Sequence, residues 1–382
     1  MNLPAKGVLT TGRDVWTSAD GLRLSDGPHG LRYQEPDANS LDFADSRAST
    51  CFPPAVALGC TWDRDLIERV GAAIGAEAAA LGVDVVLGPG VNIKRSPLCG
   101  RNFEYFAEDP LLSGEAGAAL VRGLQGAGVG ACVKHYAANN QETDRLRVSA
   151  DVDERPLREI YLRAFERVVR QAAPWTVMAA YNAVNGIPAT QNRWLLTEVL
   201  REEWGFDGVV MSDWGAVKDR VAALRAGLDL EMPGSGSAAE VVAAVESGIL
   251  EEDVLDLAVE RLTALSRRAR HRGVPSGAAV PYGEHHELAR EAAARGIVLL
   301  KNDGGLLPLD PASTIAVVGE LARTPRYQGG GSSHVRPTRL DTPLDHLGDV
   351  LFSPDADLDL VRRADTTVLF LGLPEEEESE GY

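Results

Sequence analysis

Up to about residue 270 the chain alternates short apolar runs with helix-like stretches, and each apolar run stops at polar or turn residues. Val83–Leu87 gives way to Gly-Pro-Gly-Val-Asn, Gly130–Val133 to Lys134-His135, and Thr176–Ala180 to Tyr181-Asn182. Val209–Met211 ends in Ser212-Asp213-Trp214, and Leu228–Leu230 in Glu231-Met232-Pro233. Continuous apolar runs suit strands covered on both faces. Their alternation with helices calls for a parallel sheet. Five units in succession point to an α/β fold of the (β/α)8, TIM-like barrel type rather than an open doubly wound sheet. No GxGxxG opens the helices, so no dinucleotide site is expected.

The helices read from periodicity and caps. Residues 110–124 begin at Pro110 behind Asp109 as cap. Residues 154–171 place Leu157, Ile160, Tyr161, Ala164, Phe165 and Val168 on one face. Residues 192–204 follow Asn192 and stop at Gly205, and 237–247 and 252–269 continue the pattern. Residues 271–284 break it and read as a linker between a barrel-like domain, 1–270, and a second region, 285–382. That region carries a helix near 285–295 and strands at Ile297–Lys301, Thr314–Val318 and Thr366–Leu371. It reads as a second α/β region, and because the chain stops just past a strand the polypeptide is expected to continue. The Gly-rich stretch 325–337 is either a loop folded over a ligand or a connector.

Formal net charge is −18, which argues against nucleic acid and anionic membranes as partners. No apolar stretch reaches membrane-spanning length, and the N-terminus lacks the apolar core of a signal peptide. Cys51, Cys60, Cys99 and Cys132 form no CxxC pair and read as reduced packing residues. The expected location is therefore the cytoplasm. The sequence leaves room for a homo-oligomer.

In a barrel, residues at the carboxyl ends of strands converge on one mouth. Asp26, Arg101, Lys134, His135, Arg145, Tyr181 and Asp213 hold such positions. Cations and carboxylates together suit a neutral polyhydroxylated ring, whose hydroxyls both donate and accept. Trp214 adds a flat apolar wall. Phosphate binding by Lys134, Arg101 and Arg145 is one competing use, and a Schiff base on Lys134 is another. Asp213 could also simply cap a helix starting near Gly215. His135 has no second His or Cys nearby, so neither metal nor cofactor is expected.

The ordered motifs resemble glycoside hydrolase family 3, in its β-glucosidase branch. They are Ser-Asp-Gly-Pro-His-Gly-Leu-Arg (25–32), Gly-Arg-Asn-Phe-Glu (100–104), Val-Lys-His-Tyr-Ala-Ala-Asn-Asn-Gln-Glu (133–142), Asp-Glu-Arg-Pro-Leu-Arg-Glu-Ile-Tyr-Leu (153–162), Val-Met-Ser-Asp-Trp (210–214) and Ile-Val-Leu-Leu-Lys-Asn (297–302). The resemblance implies a retaining glycosidase that releases β-D-glucose from the non-reducing end of β-glucosides, with the second region, 285–382, as the N-terminal part of an incomplete α/β sandwich domain. Asp213 would be its nucleophile, and Asp26, Arg101, Lys134, His135 and Arg145 would hold the sugar. Met178, Tyr181 and Trp214 would line the ring. The family's acid/base glutamate lies in a Glu-Gly-Tyr/Phe-Asp-Arg-like segment, which corresponds to Glu380 in Ser379-Glu380-Gly381-Tyr382. The segment after Lys134-His135 disfavours the N-acetylglucosaminidase branch, and Trp214 leans away from β-xylosidases. The alternatives are a β-xylosidase or other exo-β-glycosidase, or a fragment that binds sugar without cleaving it.

Retaining hydrolysis needs one ionised and one protonated carboxyl. Lys134, His135 and Arg145 are expected to keep Asp213 ionised, while Glu380 is expected to have its pKa raised. Glu375–Glu378 read as a solvated acidic loop.

Overall fold

The computed structural model describes residues 1–35, 46–271 and 277–381. Five parallel strands lie side by side in chain order: Leu24–Asp26, Val85–Leu87, Gly130–Tyr136, Thr176–Ala179 and Val209–Ser212. Parallel bridges continue the wall from Met211 to Leu230 and from Glu231 to Thr11. The segment from Thr11 turns back on itself and reaches the first strand through Leu24 N–H donating to Trp16 O at 2.8 Å. The result is a TIM-like barrel. Leu228–Leu230, expected as a strand, contributes only a bridge.

Strand side chains alternate between two apolar layers. Val85, Leu87, Cys132, Val209 and Met211 pack together with Leu24, Leu230 and Met232. Val86, Val133, Val177 and Val210 face the opposite way, into the layer that holds Ile74, Leu120, Phe165 and Leu196 of the surrounding helices. Both faces are therefore dry, which is why these strands read as unbroken apolar runs.

The helix Pro110–Gly126 is capped by Asp109, whose carboxylate accepts from Leu111 N–H and Leu112 N–H at 2.7 and 2.9 Å. Its neighbour Arg64–Ala80 is masked in the sequence by alanines and glycines that blunt the periodic pattern. Those small residues let the two helices touch: a Cβ on Gly123 would lie 2.1 Å from Glu68 O. The expected helix over 154–171 is interrupted, widening over Leu157–Tyr161 before Arg163–Ala172. Asn192 caps as expected, accepting from Leu195 N–H at 3.0 Å. No helix starts at Gly215; the next is Arg220–Ala226, capped by Asp219. Asp213 is thus free of the capping role that the sequence allowed.

Residues 272–276 of the expected linker lie outside the described residues. The following helix, Tyr282–Gly296, starts at the linker's end and lies against the barrel, with Ala289 and Ala292 in the barrel's outer core. Beneath it, buried Glu77 meets His285 Nδ1 at 2.7 Å and accepts from Thr50 N–H at 3.0 Å. A second parallel sheet has Ile315–Val318 between Leu351–Ser353 and Thr366–Leu369. Ile297–Lys301, expected as a strand, makes no ladder among the described residues. Val298 and Leu300 stand 57% and 91% exposed. An apolar run becomes a strand only where a neighbour offers ladder partners, and none of the described strands lies beside this one. Cys99 and Cys132 are buried, whereas Cys60 is exposed, so the packing role does not hold for all four cysteines, which are unpaired.

Candidate active site

At the carboxyl ends of the barrel strands lies a cavity of about 180 Å³. All ten residues singled out in the sequence line it: Asp26, Arg101, Lys134, His135, Arg145, Met178, Tyr181, Asp213, Trp214 and Glu380. Trp16, Arg32 and Ser332 complete the wall. Arg32 stands in the same motif as Asp26, and Ser332 in the Gly-rich stretch, so both were within reach of the sequence. Trp16 sits in an N-terminal loop with no distinguishing pattern.

Asp213 directly follows the strand Val209–Ser212, and its N–H donates to Ala179 O at 3.0 Å. Its Oδ1 accepts from Trp214 N–H at 2.8 Å. Its Oδ2 is buried and has no hydrogen-bond partner among the described residues. Burial pushes the carboxyl up to about 6, against the downward pull of Arg101 and Lys134. The expectation that neighbouring cations dominate is therefore corrected: desolvation wins, because a bare carboxylate oxygen loses its water without gaining a donor. Asp213 is still mostly ionised at pH 7.

His135 is not one of the cations. Burial holds its pKa well below the usual range, and Arg101, Lys134 and Arg145 add to the effect. Its Nε2 stands 3.8 Å from Asp213 Oδ2. Its backbone is clasped by Asn92, which accepts from His135 N–H at 2.7 Å and donates to His135 O at 3.0 Å. Asp26 ends the first strand between Arg32 Nη1 at 3.2 Å and Lys134 Nζ at 3.6 Å. Burial raises its pKa, opposed by those two cations. Tyr181 donates its hydroxyl to Trp214 O at 3.0 Å and lies under the Arg145 guanidinium. Trp214 is fixed by its indole N–H to Val15 O at 2.8 Å and by Trp16, whose ring centre is 5.7 Å away.

Glu380 reaches this cavity from the far end of the chain. Its Oε2 accepts from Arg145 Nη2 at 3.0 Å, and its Oε1 lies 3.5 Å from Arg101 Nη2. The Oε1 also accepts from Ser332 N–H at 2.9 Å and from the Ser332 hydroxyl. Burial alone would raise its pKa, but Arg101, Arg145 and Ser332 together hold the carboxyl well below the usual carboxylate range. The expected upward shift is thus reversed, because two guanidinium groups and the Ser332 donors outweigh desolvation. Of the acidic loop, Glu376 and Glu377 are exposed, whereas Glu378 pairs with Arg326 at 3.0 Å. The Gly-rich stretch folds over the mouth: Ser49 and Pro337 form a parallel bridge, and Gly331, at φ 82°, passes under Glu380. A Cβ there would lie 2.9 Å from Glu380 Cγ.

The family model described as Glycosyl hydrolase family 3 N terminal domain matches residues 43–265, and that for the C-terminal domain matches residues 297–382. The chain is 49% identical to the thermostable beta-glucosidase B of Acetivibrio thermocellus, covering 100% of this chain and 54% of that protein. It is 46% identical to an exo-alpha-(1->6)-L-arabinopyranosidase of Bifidobacterium longum, covering 100% of this chain and 55% of that one. Among solved structures it resembles the GH3 beta-glucosidase of Bifidobacterium adolescentis, with TM-score 0.91, 46% identity, and coverage of 100% and 58%. It also resembles beta-glucosidase 3B from Thermotoga neapolitana in complex with alpha-D-glucose, with TM-score 0.90, 35% identity, and coverage of 100% and 62%. The chain spans about half the length of the curated relatives it matches. With both domain models matched in order along one chain, this protein belongs to glycoside hydrolase family 3.

Proposed function

We propose that this chain carries the catalytic centre of a retaining β-glucosidase that acts on the terminal sugar of β-glucosides. The observation that carries the reading is Asp213 Oδ2: a buried carboxylate oxygen without a donor among the described residues, in a cavity it shares with Asp26 and with Glu380 from the far end of the chain. An oxygen that no N–H holds is available to attack an anomeric carbon. The cavity, about 180 Å³, is smaller than the roughly 300–1,000 Å³ that takes a drug-sized ligand, which favours one ring and an exo mode of action.

In this reading Asp26 accepts from sugar hydroxyls, while Lys134, His135, Arg101 and Arg145 donate to them. Met178, Tyr181 and Trp214 face the ring. Asp213 forms the glycosyl ester and Glu380 protonates the departing oxygen, then takes a proton from the water that hydrolyses the ester. Glu380 is clamped as an ionised group by Arg101 and Arg145. A sugar that claims those N–H groups for its own hydroxyls loosens the clamp, and the dehydrated carboxyl then takes up the proton it must give. The division into a barrel domain over 1–270 and a sandwich portion from 285 belongs to the same reading, with the acid/base brought over the barrel by the second region.

A second reading is favoured by the 46% identity to the arabinopyranosidase. An α-L-arabinopyranoside lacks the exocyclic hydroxymethyl group of glucose and carries an axial 4-hydroxyl, so it asks the same donors and acceptors to serve a ring of the β-galacto pattern. No helix among the described residues is long and apolar enough to cross a membrane. The unpaired cysteines support a reducing location such as the cytoplasm.

The test is a panel of aryl glycosides offered to the native gene product: β-glucoside, β-xyloside, β-galactoside, α-L-arabinopyranoside and N-acetyl-β-glucosaminide. Anomeric configuration is followed by NMR. Release of β-glucose as the first product is expected. Inverted product, or hydrolysis of none of the panel, overturns the proposal; preference for the arabinopyranoside selects the second reading.

A further inference from the structure

We propose that Glu142, which does not line the cavity, is a positioning residue that couples the two carboxyl groups of the site, holding the Glu380 segment with one oxygen and setting the His135 tautomer with the other. The proposal rests on the reading of Asp213 and Glu380 as nucleophile and acid/base.

The Glu142 side chain is 0% exposed. Its Oε2 accepts from Arg145 Nη1 at 2.7 Å and from the backbone N–H of Gly381 at 2.9 Å. Arg145 passes its other amino group to Glu380 Oε2 at 3.0 Å. Glu380 is therefore held twice through one oxygen, once by the backbone of the next residue and once by the shared arginine.

The other oxygen starts a relay toward Asp213. Glu142 Oε1 accepts from Asn139 Nδ2 at 3.2 Å, and that nitrogen also donates to Tyr105 Oη at 3.3 Å. The carboxylate fixes which end of the amide faces it, since only the nitrogen can donate. A phenol that accepts from an amide turns its own proton outward, here to His135 Nδ1 at 3.0 Å. Nδ1 is then the acceptor, and the single ring proton of neutral His135 sits on Nε2, 3.8 Å from Asp213 Oδ2. The relay thus presents an N–H, not a lone pair, toward Asp213.

Only a carboxylate serves both directions. Three N–H donors converge on Glu142, on two oxygens. Glutamine has one acceptor oxygen, so its NH2 must meet either Arg145 and Gly381 or Asn139, leaving buried donors opposed.

The experiment is Glu142→Gln in the native gene product, with three readouts. Amide exchange in the peptide containing Gly381 should accelerate while barrel peptides stay protected. kcat/KM should fall about 10–100-fold for alkyl glucosides, which need acid help, and by about threefold or less for dinitrophenyl glucoside. In a Glu380→Ala background the same change should cost no more than that threefold on the activated substrate, the share of the His135 relay. Unchanged exchange at Gly381, equal loss across leaving groups, or a loss well beyond threefold on the activated substrate in the double variant overturns the positioning role. If the parent hydrolyses no glycoside, the reading of the site fails; if it does and Glu142→Gln matches it, only this proposal fails. Should Glu142→Gln not fold, Tyr105→Phe removes one hydroxyl from the relay. Its His135 15N signals should change from a pure Nε2–H pattern to a mixture, and an unchanged pattern overturns the relay.

Discussion

Arg145 and Glu380 stand 235 positions apart in the chain and meet at 3.0 Å, Nη2 to Oε2. The arginine comes from a barrel loop and the glutamate from beyond the second sheet, so this contact assembles the cavity across two regions of the fold. Together with Arg101, whose pull is the larger, Arg145 keeps Glu380 charged.

Asp213→Asn is expected to lower kcat by about 10⁴-fold or more, as loss of a nucleophile does, with sugar binding retained. It should also raise stability above pH 6. Burial pushes the native carboxyl up to about 6, above the ordinary 3.8, so the folded state binds the proton more tightly than the unfolded one. The stabilisation is complete below the unfolded pKa and is lost as pH rises through about 6. The ionised form therefore costs up to about 3 kcal/mol at pH 7, a cost that Asn removes. Melting curves should show the variant a few degrees more stable at pH 7.5, with the gain shrinking toward pH 4. A variant less stable at pH 7.5 would contradict the buried, donor-poor environment of Oδ2.

Glu380→Ala should separate substrates by leaving group. Dinitrophenyl glucoside needs little protonic help and should lose least in its first step; phenyl and alkyl glucosides should lose about 10²–10⁴-fold. Added azide should restore turnover of the activated substrate and yield β-glucosyl azide. Uniform loss across leaving groups without azide rescue assigns Glu380 to binding only.

Glu77→Ala tests how the helix Tyr282–Gly296 is fastened to the barrel. The change strands His285 and the Thr50 N–H in a dry interface and should cost about 3 kcal/mol. Urea titration measures it, with activity per folded molecule preserved. A loss under about 1 kcal/mol would show that the pair is not a main fastening.

Gly123→Ala places a methyl against Glu68 O, 2.1 Å from the ideal Cβ position. Both atoms sit on rigid helix backbone, so the helices Arg64–Ala80 and Pro110–Gly126 must part. About 3 kcal/mol of destabilisation is expected, read as a lower Tm. Gly126→Ala, in the same helix with open space around it, is the control that should leave Tm unchanged or slightly raised.

Much of the barrel was legible because strand burial and helix capping are local. The runs ending at Lys134-His135, Tyr181 and Asp213 announce both a strand and a polar group at its mouth, and Asp109 announces its helix. Where local pattern misled, a neighbour decided: Ile297–Lys301 has the composition of a strand but no ladder partner among the described residues, and Arg64–Ala80 hides its period behind residues chosen for close packing. By itself, then, the sequence determined most of the side chains that crowd the cavity, since a parallel strand delivers whatever residue follows it to the same rim, while Trp16 comes from a loop without such a signal and Glu380 was marked by its motif alone. Only the tertiary structure decided their protonation: Asp213 rises to about 6 and Glu380 stays ionised. Charge depends on how much water is excluded and which cation arrives from hundreds of residues away, and neither quantity is written in the order of nearby residues.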